Sequence, residues 1–324
     1  MRVLFVCSGN SNTFEIAPFI KSQGDSLETL GVEIHYFPIV GKGIMGYLKA
    51  SLKLRKFLKT RHFDLIHAHF SLSGWTAVLG SKKIPVLLSL MGDDAQGNFV
   101  GVNKIEFKSR LYIWSTKLIQ PFVKGIISKS PNLEKHVYQK EKSFLIPNGI
   151  NTNEFMPLVN GHKKNMGLEK DKKHVLFLGS KSRVGKNYPL AQKAVSQLQS
   201  TGVRLINPYP VPHSDVPQYL NAVDVLVVPS FMEGSPNVVK EAMACNCPIV
   251  ATDVGDIKWV MGDTEGCYLA SFEPEDFADK IKMALEFSEK KGRTNGNQRI
   301  KDLGLDSGTI ANRILNIYHK IITN

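Results

Sequence analysis

Short apolar runs alternate with helix-length amphipathic segments along most of the chain. This alternation is typical of parallel sheets whose strands are joined by crossover helices. In the first half, the pattern predicts strands at Val3–Cys7, Glu33–Pro38, Leu65–His69, Pro85–Leu90, Gly125–Ser128 and Ser143–Ile146. In the second half, it predicts strands at His174–Leu178, Arg204–Asn207, Val225–Pro229, Ile249–Thr252 and Gly266–Leu269. The predicted fold class is therefore α/β, with two doubly wound units.

Turn-forming residues interrupt this pattern between the two halves, first at 147–153 and then, mixed with lysines, from Pro157 to Lys173. We predict Rossmann-like domains at residues 1–155 and 156–305, facing each other across a ligand-binding cleft. Near the C-terminus, apolar residues recur at helical spacing at Ile310, Ile314, Ile317 and Ile321. Residues 306–324 are therefore predicted to form an amphipathic helix that packs back on the first domain.

Composition narrows the class of protein. The 324 residues are 43% hydrophobic and 22% charged, which suits one or two packed domains and argues against a disordered or collagen-like chain. No window approaches the length of uncharged apolar sequence that a membrane-spanning helix needs. The net charge of +12 favours an anionic partner, either nucleic acid, a membrane surface or a phosphorylated substrate. The chain has four cysteines, and their uneven spacing argues against a disulfide framework. We expect them to be reduced thiols of a cytoplasmic protein, and they are Cys7, Cys245, Cys247 and Cys267.

The loop after the first strand argues against two classes of enzyme. Cys7 followed by Gly9 is similar to a cysteine phosphatase loop, but Thr13 occupies the position where that chemistry needs an arginine. The loop also lacks the Gly-x-Gly-x-x-Gly pattern of a dinucleotide-binding fold, which disfavours a dehydrogenase. What remains is a polar turn in which Gly9 is predicted to face the ligand cleft.

The strongest functional pattern lies in the segment Val225–Cys245. A buried strand is predicted to end at Pro229, and a helix is predicted to follow an N-cap at Ser235 with Pro236 in its first position. The first helical amides would then point into the cleft as an anion-binding site. These amides belong to Asn237, Val238 and Val239.

Two carboxylates, Glu233 in the loop and Glu241 in the helix, flank this anion site. Because like charges repel in a low-dielectric site, a site for phosphate alone would not hold both. Carboxylates do accept hydrogen bonds from vicinal hydroxyls, and a nucleoside diphosphate sugar carries both a diphosphate and such hydroxyls. Arg183 and Lys186 lie in a glycine turn after the strand His174–Leu178, where they can clamp two phosphates without a metal.

The segment Met232–Cys245, with seven residues between its two glutamates, resembles the signature of the retaining family 4 glycosyltransferases, which have the GT-B fold. The likeness continues through Asn221–Val225, Pro248–Asp256 and Ile146–Ile150, and it is weak in the first half of the chain.

The resemblance implies roles for the predicted site residues. Glu241 would accept hydrogen bonds from the ribose, and Glu233 from a hydroxyl of the donor sugar. Arg183 and Lys186 would neutralise the leaving diphosphate, with Lys181 as a further candidate. Backbone contacts would come from Tyr209 at the nucleotide base and, at the sugar and phosphate, from Gly234, Ser235, Pro236, Asn237, Val238 and Val239.

The first half departs from the family pattern at Met91, which stands where a histidine is common. Asp93 or Asp94 would take over part of that role as partner or base for the acceptor hydroxyl, or the pair would cap the next helix. His67 and His69 alternate along a strand and therefore point to one face. They could bind a metal or make acceptor-site or structural hydrogen bonds, and the cations already present favour a metal-independent reaction.

These patterns predict an enzyme that moves a sugar from a nucleoside diphosphate sugar to a hydroxyl of a glycan or lipid-linked acceptor without a cofactor, and the resemblance implies retention of the anomeric configuration. We expect it to act in bacterial surface polysaccharide or glycolipid synthesis. A sugar-nucleotide epimerase of the same fold and a catalytically silent sugar-nucleotide binding protein are the alternatives.

The basic segment Tyr47–Arg61 indicates which kind of binding partner to expect. Its lysines, Lys49, Lys53, Lys56 and Lys59, either form a solvated helix surface or lie against an anionic membrane. Nucleic acid is not expected, because Trp75 and Trp114 are not interleaved with the basic stretches. The expected location is the cytoplasm, with peripheral attachment to the inner membrane face.

Overall fold

The computed structural model describes residues 1–11, 14–41, 43–158, 166–169, 171–198, 200 and 202–323. Thr13 and part of the predicted linker Pro157–Lys173 lie outside these ranges. The chain forms two units. The first comprises Met1–Asn98, Ile105–Gly149 and Ser307–Asn324, and the second comprises Phe99–Lys104 and Ile150–Asp306.

Strands and helices alternate from the N-terminus to Leu145. Their order is β1 (Arg2–Ser8), α1 (Pro18–Glu28), β2 (Glu33–Ile39), α2 (Gly43–Phe57), β3 (Leu65–His69), α3 (Ser71–Gly80), β4 (Val86–Ser89), α4 (Asp93–Gln96), β5 (Phe99–Gly101), β6 (Lys104–Ile105), α5 (Arg110–Ile119), β7 (Gly125–Ser128), α6 (Pro131–Glu134) and β8 (Ser143–Leu145). Single 3-10 turns lie at Phe107–Ser109, Gln120–Phe122 and Lys140–Lys142.

The second half repeats the alternation and ends on a long helix. Its elements are β9 (Lys173–Leu176), α7 (Tyr188–Ser196), β10 (Val203–Ile206), α8 (Val216–Ala222), β11 (Val225–Val228), α9 (Asn237–Ala244), β12 (Ile249–Thr252), α10 (Ile257–Met261), β13 (Cys267–Ala270), α11 (Pro274–Lys291), α12 (Gly296–Asp302) and α13 (Ser307–Thr323). Single 3-10 turns lie at Val184–Lys186 and His213–Asp215.

Each unit is built on one parallel sheet. The first has the strand order β2-β1-β3-β4-β7-β8, and the second has the order β10-β9-β11-β12-β13. The central strands are buried along their whole length, as apolar runs covered by helices on both faces must be. The predicted α/β class with two doubly wound units is confirmed. All eleven predicted strands are present, with ends shifted by at most two residues, whereas the short pair β5 and β6 was not predicted.

The C-terminal helix α13 belongs to the first unit, where it packs on α1. Its buried apolar positions include the four isoleucines of the predicted pattern, and its Tyr318 hydroxyl is hydrogen-bonded to His67. The four cysteines are free thiols, and burial raises the pKa of Cys7 and of Cys245 to about 12. Across the described residues, none of the helices combines the length and apolar character needed to cross a bilayer.

Candidate functional site

The loops that follow β9 and β11 meet at the carboxyl edge of the second sheet. β9 pairs with β10 on one side and with β11 on the other, so these two loops leave the sheet in opposite directions. Ligands of open α/β sheets bind at such a reversal of strand order. The β9 loop carries Arg183 and Lys186, and the β11 loop carries Glu233.

Two hydrogen bonds to backbone carbonyls fasten these loops to each other. Asn187 Nδ2 donates to the carbonyl oxygen of Pro229 at 3.0 Å, and the Phe231 amide donates to the carbonyl oxygen of Gly185 at 2.9 Å. Asn187 has a φ of 50°, in the left-handed region that asparagine tolerates better than most residues. It turns the chain from the loop into α7, so the position of the cations is fixed by the fold.

The Glu233 carboxylate receives two hydrogen bonds at one oxygen. Lys186 Nζ donates to Oε1 at 2.6 Å, and Ser230 Oγ donates to the same oxygen at 2.7 Å. Thr252 Oγ1 donates to the Ser230 carbonyl at 2.6 Å, which ties the end of β12 to this loop. The side chains of Lys186 and Glu233 are 23% and 12% exposed, so the ion pair is shielded and still reachable by a ligand.

Ser235 does not cap α9, so the predicted N-cap at this residue is wrong. The helix begins at Asn237 after Pro236, and no side chain of the described residues caps it. The Ser235 hydroxyl instead donates to Asp256 Oδ2 at 2.6 Å and accepts from Lys240 Nζ. Lys240 and Asp256 are both buried, with 3.4 Å between Nζ and Oδ2. A buried ion pair therefore fixes the turn that leads into α9.

Gly255 closes this turn from the β12 side. Its φ of +66° lies in the left-handed region, and a Cβ would lie 2.8 Å from the Glu233 carbonyl oxygen and 3.0 Å from that of Gly234. A larger residue would push the Glu233 loop away, so glycine is required here. The residues predicted to contact sugar and phosphate lie along this loop and the first turn of α9, at Gly234, Ser235, Pro236, Asn237, Val238 and Val239.

Glu241 lies in the second turn of α9 and is nearly buried, with 7% of its side chain exposed. His213 Nε2 is hydrogen-bonded to Glu241 Oε1 at 2.9 Å, and the Phe155 ring centroid lies 5.3 Å from that of His213. The hydrogen bond to Glu241 raises the pKa of His213 above its ordinary value, against the lowering effect of burial. The carboxylate is therefore held in place by a cationic or hydrogen-bonding imidazole.

The other predicted site residues lie at exposed or closely packed loop positions. The side chains of Arg183 and Lys181 are exposed in the β9 loop, and Tyr209 is exposed in the loop after β10. In the first unit, Gly9 directly follows β1, where a Cβ would come within 2.9 Å of Pro38 Cβ.

In the first unit, Asp94 is buried and engaged with the backbone. Its Oδ1 accepts from the amides of Met91 and Gly92 at 2.9 and 3.0 Å, and its Oδ2 accepts from the Ser71 amide at 2.9 Å. Burial raises the pKa of Asp94 to about 6, although these hydrogen bonds lower it. Asp94 lies inside α4 and binds the first amide of the preceding helix α3, so the predicted capping of the next helix is wrong. Asp93 is half-buried at the start of α4.

His67 and His69 are buried side by side, with ring centroids 4.4 Å apart. His67 is hydrogen-bonded to the Tyr318 hydroxyl at 2.7 Å and to Ser89 Oγ at 2.8 Å. Burial, followed by the neighbouring His69 and Lys129 charges, holds the pKa of His67 well below its ordinary value. Among the described residues, no group of three or more side chains is arranged to bind a metal ion.

Sequence reasoning missed several residues that the fold brings to the site. Ser230 follows a predicted strand end and could have been found as a polar residue at the carboxyl edge. His213 gave no such signal, because its contact with Glu241 spans 28 positions and depends on the placement of two loops. The pairing of Lys240 with Asp256 likewise joins residues from two different elements.

Two family models together match most of the chain. Residues 1–154 match Glycosyltransferase Family 4, and residues 162–286 match Glycosyl transferases group 1. The chain belongs to the group 1, family 4 glycosyltransferases, and its two parallel-sheet units form the GT-B fold.

Particular relatives and structures agree with this assignment. The chain is 26% identical over 311 residues to the N,N'-diacetylbacillosaminyl-diphospho-undecaprenol α-1,3-N-acetylgalactosaminyltransferase of Campylobacter jejuni, covering 86% of this chain and 82% of that relative. Sucrose-phosphate synthase from Thermosynechococcus elongatus is similar in structure, with a TM-score of 0.83, 17% identity and 99% of each chain covered. Anabaena HepE in complex with UDP and glucose has a TM-score of 0.72, 17% identity, and coverage of 99% of this chain and 100% of HepE.

Proposed function

We propose that this glycosyltransferase moves a sugar from a nucleoside diphosphate sugar to a hydroxyl of a glycan or lipid-linked acceptor, with retention of anomeric configuration. The observation that carries the proposal is the contact of Lys186 Nζ with Glu233 Oε1 at 2.6 Å, directly before the N-terminus of α9. We assign phosphate binding to this lysine and the binding of a sugar hydroxyl to this carboxylate. A sugar diphosphate presents both of the groups that such a pair recognises.

The donor would lie along α9 from Glu241 to Glu233. Glu241 accepts hydrogen bonds from the ribose, and His213 keeps this carboxylate oriented. Glu233 already receives its donors at Oε1, and we assign Oε2 to a hydroxyl of the donor sugar. Its partner Lys186 then turns to the diphosphate. Glu233 keeps the hydrogen bond from Ser230 and gains one from the sugar hydroxyl, so the carboxylate stays hydrogen-bonded when Lys186 turns away.

In the proposed reaction, the bond between the anomeric carbon and the diphosphate oxygen breaks and a bond to the acceptor oxygen forms on the same face. Negative charge develops on the leaving diphosphate, where Arg183, Lys186 and the first amides of α9 stabilise it. The leaving phosphate oxygen takes the acceptor proton, so the reaction needs no protein nucleophile. In the first unit, Asp93 is the residue we assign to the acceptor hydroxyl, because Asp94 is engaged with the backbone.

The class of acceptor rests on the relatives. The Campylobacter jejuni relative is named for transfer to an undecaprenol-linked sugar, and a relative in Bacillus subtilis is named for teichuronic acid biosynthesis. We therefore place this protein in bacterial surface polysaccharide or glycolipid synthesis. HepE, whose structures contain UDP and UDP-glucose, supports a nucleoside diphosphate sugar as donor.

We further propose that neither a metal ion nor a cofactor takes part, because Lys186, Arg183 and the α9 amides supply the positive potential that the diphosphate requires. Activity should therefore persist in excess chelator. Loss of activity on chelation, with recovery on adding a divalent ion, would contradict this part of the proposal.

A donor panel tests the proposed reaction. Purified protein is incubated with individual nucleoside diphosphate sugars, with and without glycan or lipid-linked acceptors, and free nucleoside diphosphate is measured. Release that requires the acceptor, and a product with the donor's anomeric configuration by NMR, are the expected results. Release without an acceptor, or conversion of the donor sugar, would instead indicate hydrolysis or epimerisation.

A further inference from the structure

The first unit exposes a continuous apolar stripe along α5 and the 3-10 turns that flank it. Its five members succeed one another at spacings of three or four residues, and their exposed fractions range from 54% to 78%. They are Phe107, Leu111, Trp114, Leu118 and Phe122. A helix on the surface of a water-soluble protein normally turns its apolar residues to the core. An outward stripe of this length indicates an interaction surface.

The neighbouring helix α2 extends this surface. Although α2 buries Tyr47, Ala50 and Leu54, it leaves four other apolar side chains exposed, at Ile44, Met45, Leu48 and Leu52. A concavity of about 680 Å³ joins the N-terminal ends of the two helices and is lined by residues of both. We call these nine exposed apolar side chains of α2 and α5, together with the concavity, the α2–α5 face.

The charged residues within the two segments that carry the α2–α5 face are all of one sign. Residues 43–61 contain six lysines and arginines, and residues 107–124 contain four, without an aspartate or glutamate in either segment. Two cations lie over aromatic rings of the stripe itself. Arg110 is 5.4 Å from the Phe107 ring centroid, and Lys117 is 5.7 Å from that of Trp114. A surface that docks on a bilayer needs apolar groups that enter it and cations that remain among the anionic headgroups. The α2–α5 face has both.

We propose that the α2–α5 face docks onto an anionic lipid bilayer, with the α5 stripe inserted at the level of the headgroups and the lysines and arginines bound to lipid phosphates. Each basic residue near such a surface strengthens adsorption about fivefold at low salt. A second copy of this chain is a poor occupant, since a symmetric contact would bring like-charged segments together. The sequence indicated only the lysines of α2, whereas the structure adds the apolar residues that make insertion possible.

The location of the α2–α5 face within the first unit indicates how docking would serve the reaction. Crossover helices run antiparallel to the strands they join, so the N-termini of α2 and α5 lie at the carboxyl edge of the sheet. The concavity between them is therefore at the edge that also presents Gly9 and Asp93. Resting here on the proposed function, docking would hold a lipid-linked acceptor next to the residues assigned to it.

Vesicle co-sedimentation tests the proposal without any catalytic readout, so its failure and that of the proposed reaction are distinguishable. The full-length protein is mixed with vesicles of phosphatidylcholine and phosphatidylglycerol, or of phosphatidylcholine alone, at low and high salt. Wild type should bind the anionic vesicles more tightly at low salt. The double variant Trp114→Ser/Leu118→Ser should lower this partitioning by about tenfold or more, because two apolar side chains no longer insert.

Matched controls distinguish docking through the α2–α5 face from nonspecific adsorption and from misfolding. Trp259 is 45% exposed on α10 of the second unit, so Trp259→Ser should bind like wild type. Brominated lipids should quench tryptophan fluorescence in wild type and much less in Trp114→Phe, which keeps an apolar side chain and should still sediment.

Several results would overturn the proposal. Equal sedimentation of wild type and the double variant would remove the α5 stripe from the interface. Absence of vesicle binding, or equal binding to neutral and anionic vesicles, would remove the anionic bilayer as partner. A concentration-dependent dimer in analytical ultracentrifugation that the double variant abolishes would assign the face to a second copy of the chain instead.

Discussion

The two units share one architecture, but the polar residues at the carboxyl edges of their sheets differ in burial and in hydrogen-bond partners. In the first unit, His67 and Asp94 are completely buried, and their hydrogen bonds go to Tyr318, Ser89 and backbone amides. In the second unit, Glu233 and Lys186 pair with each other at an edge that a ligand can reach.

This contrast supports our assignment of donor binding to the second unit. A buried carboxylate whose oxygens are all occupied by amides stabilises its own loop and cannot take up a ligand without breaking that loop. A partly exposed ion pair can exchange its internal partner for a ligand at small cost. The carboxyl edge of the first sheet is thus closed by internal hydrogen bonds at His67 and Asp94, whereas that of the second sheet presents an ion pair that a ligand can reach.

Replacing Lys186 should produce the largest effect on catalysis. Lys186→Met removes the cation that we assign to the leaving diphosphate, and we expect kcat to fall by about 10²- to 10³-fold. Steady-state kinetics with the donor found in the panel measures this. Lys193→Met, at an exposed position on α7, is the matched control and should keep kcat within about twofold, as surface changes usually do. A Lys186 variant as active as this control would contradict the functional difference that we propose between the carboxyl edges of the two units.

Asp94 offers the corresponding test in the first unit. Because burial raises its folded pKa to about 6 from an ordinary value of 3.8, its contribution to stability is complete at low pH and is lost as pH rises through 6. Between those values the wild-type free energy of unfolding should fall by up to about 3 kcal/mol from this group. Asp94→Asn, which cannot titrate, should lose this part of the pH dependence in urea unfolding.

The control for this experiment is Asp279→Asn, an exposed carboxylate on α11, which should keep the wild-type pH profile. If Asp94→Asn instead kept that profile and lost transfer activity, Asp94 would act on the acceptor and its assignment as a purely structural partner of backbone amides would fail.

His213 should show the smallest effect. Its pKa is raised by Glu241, so the stability of the pair is present below the ordinary histidine pKa and is lost as pH rises through the raised value. Since about a third of the His213 side chain is exposed, the contribution should stay below about 1 kcal/mol. The Tm of His213→Gln should fall below that of wild type at mildly acidic pH and approach it at alkaline pH. His319→Gln, exposed on α13, should match wild type throughout, and the same result for His213→Gln would contradict the pairing.

The fold was largely predictable because parallel strands buried on both faces leave an unmistakable apolar pattern. Strand β3, Leu65–His69, was predicted to the residue. The short pair β5 and β6 was not, since two- and three-residue strands are too brief to show alternation. The apolar stripe of α5 also escaped notice, because a helical period tells which residues share a face and not whether that face meets the core or the solvent.

The site was predictable where its residues are close in sequence. Glu233 and Glu241 belong to one loop and the helix that follows, so their spacing carries information. The predicted N-cap at Ser235 failed because Lys240 and Asp256 compete for its hydroxyl, and Asp256 comes from the loop after β12. The contact between His213 and Glu241 could not be predicted either, since it depends on how two loops of the sheet converge.

The most direct measurement of the central claim, that the donor binds along α9 at the carboxyl edge of the second unit, is titration calorimetry with the nucleoside diphosphate of the preferred donor. Glu241→Ala should raise Kd by roughly 10- to 100-fold, because a charge-assisted hydrogen bond to the ribose is lost. Glu233→Gln should bind the nucleotide nearly as wild type does and lose turnover instead. The control Glu286→Ala, exposed on α11, should leave Kd unchanged. A wild-type Kd in the Glu241 variant would contradict the claim.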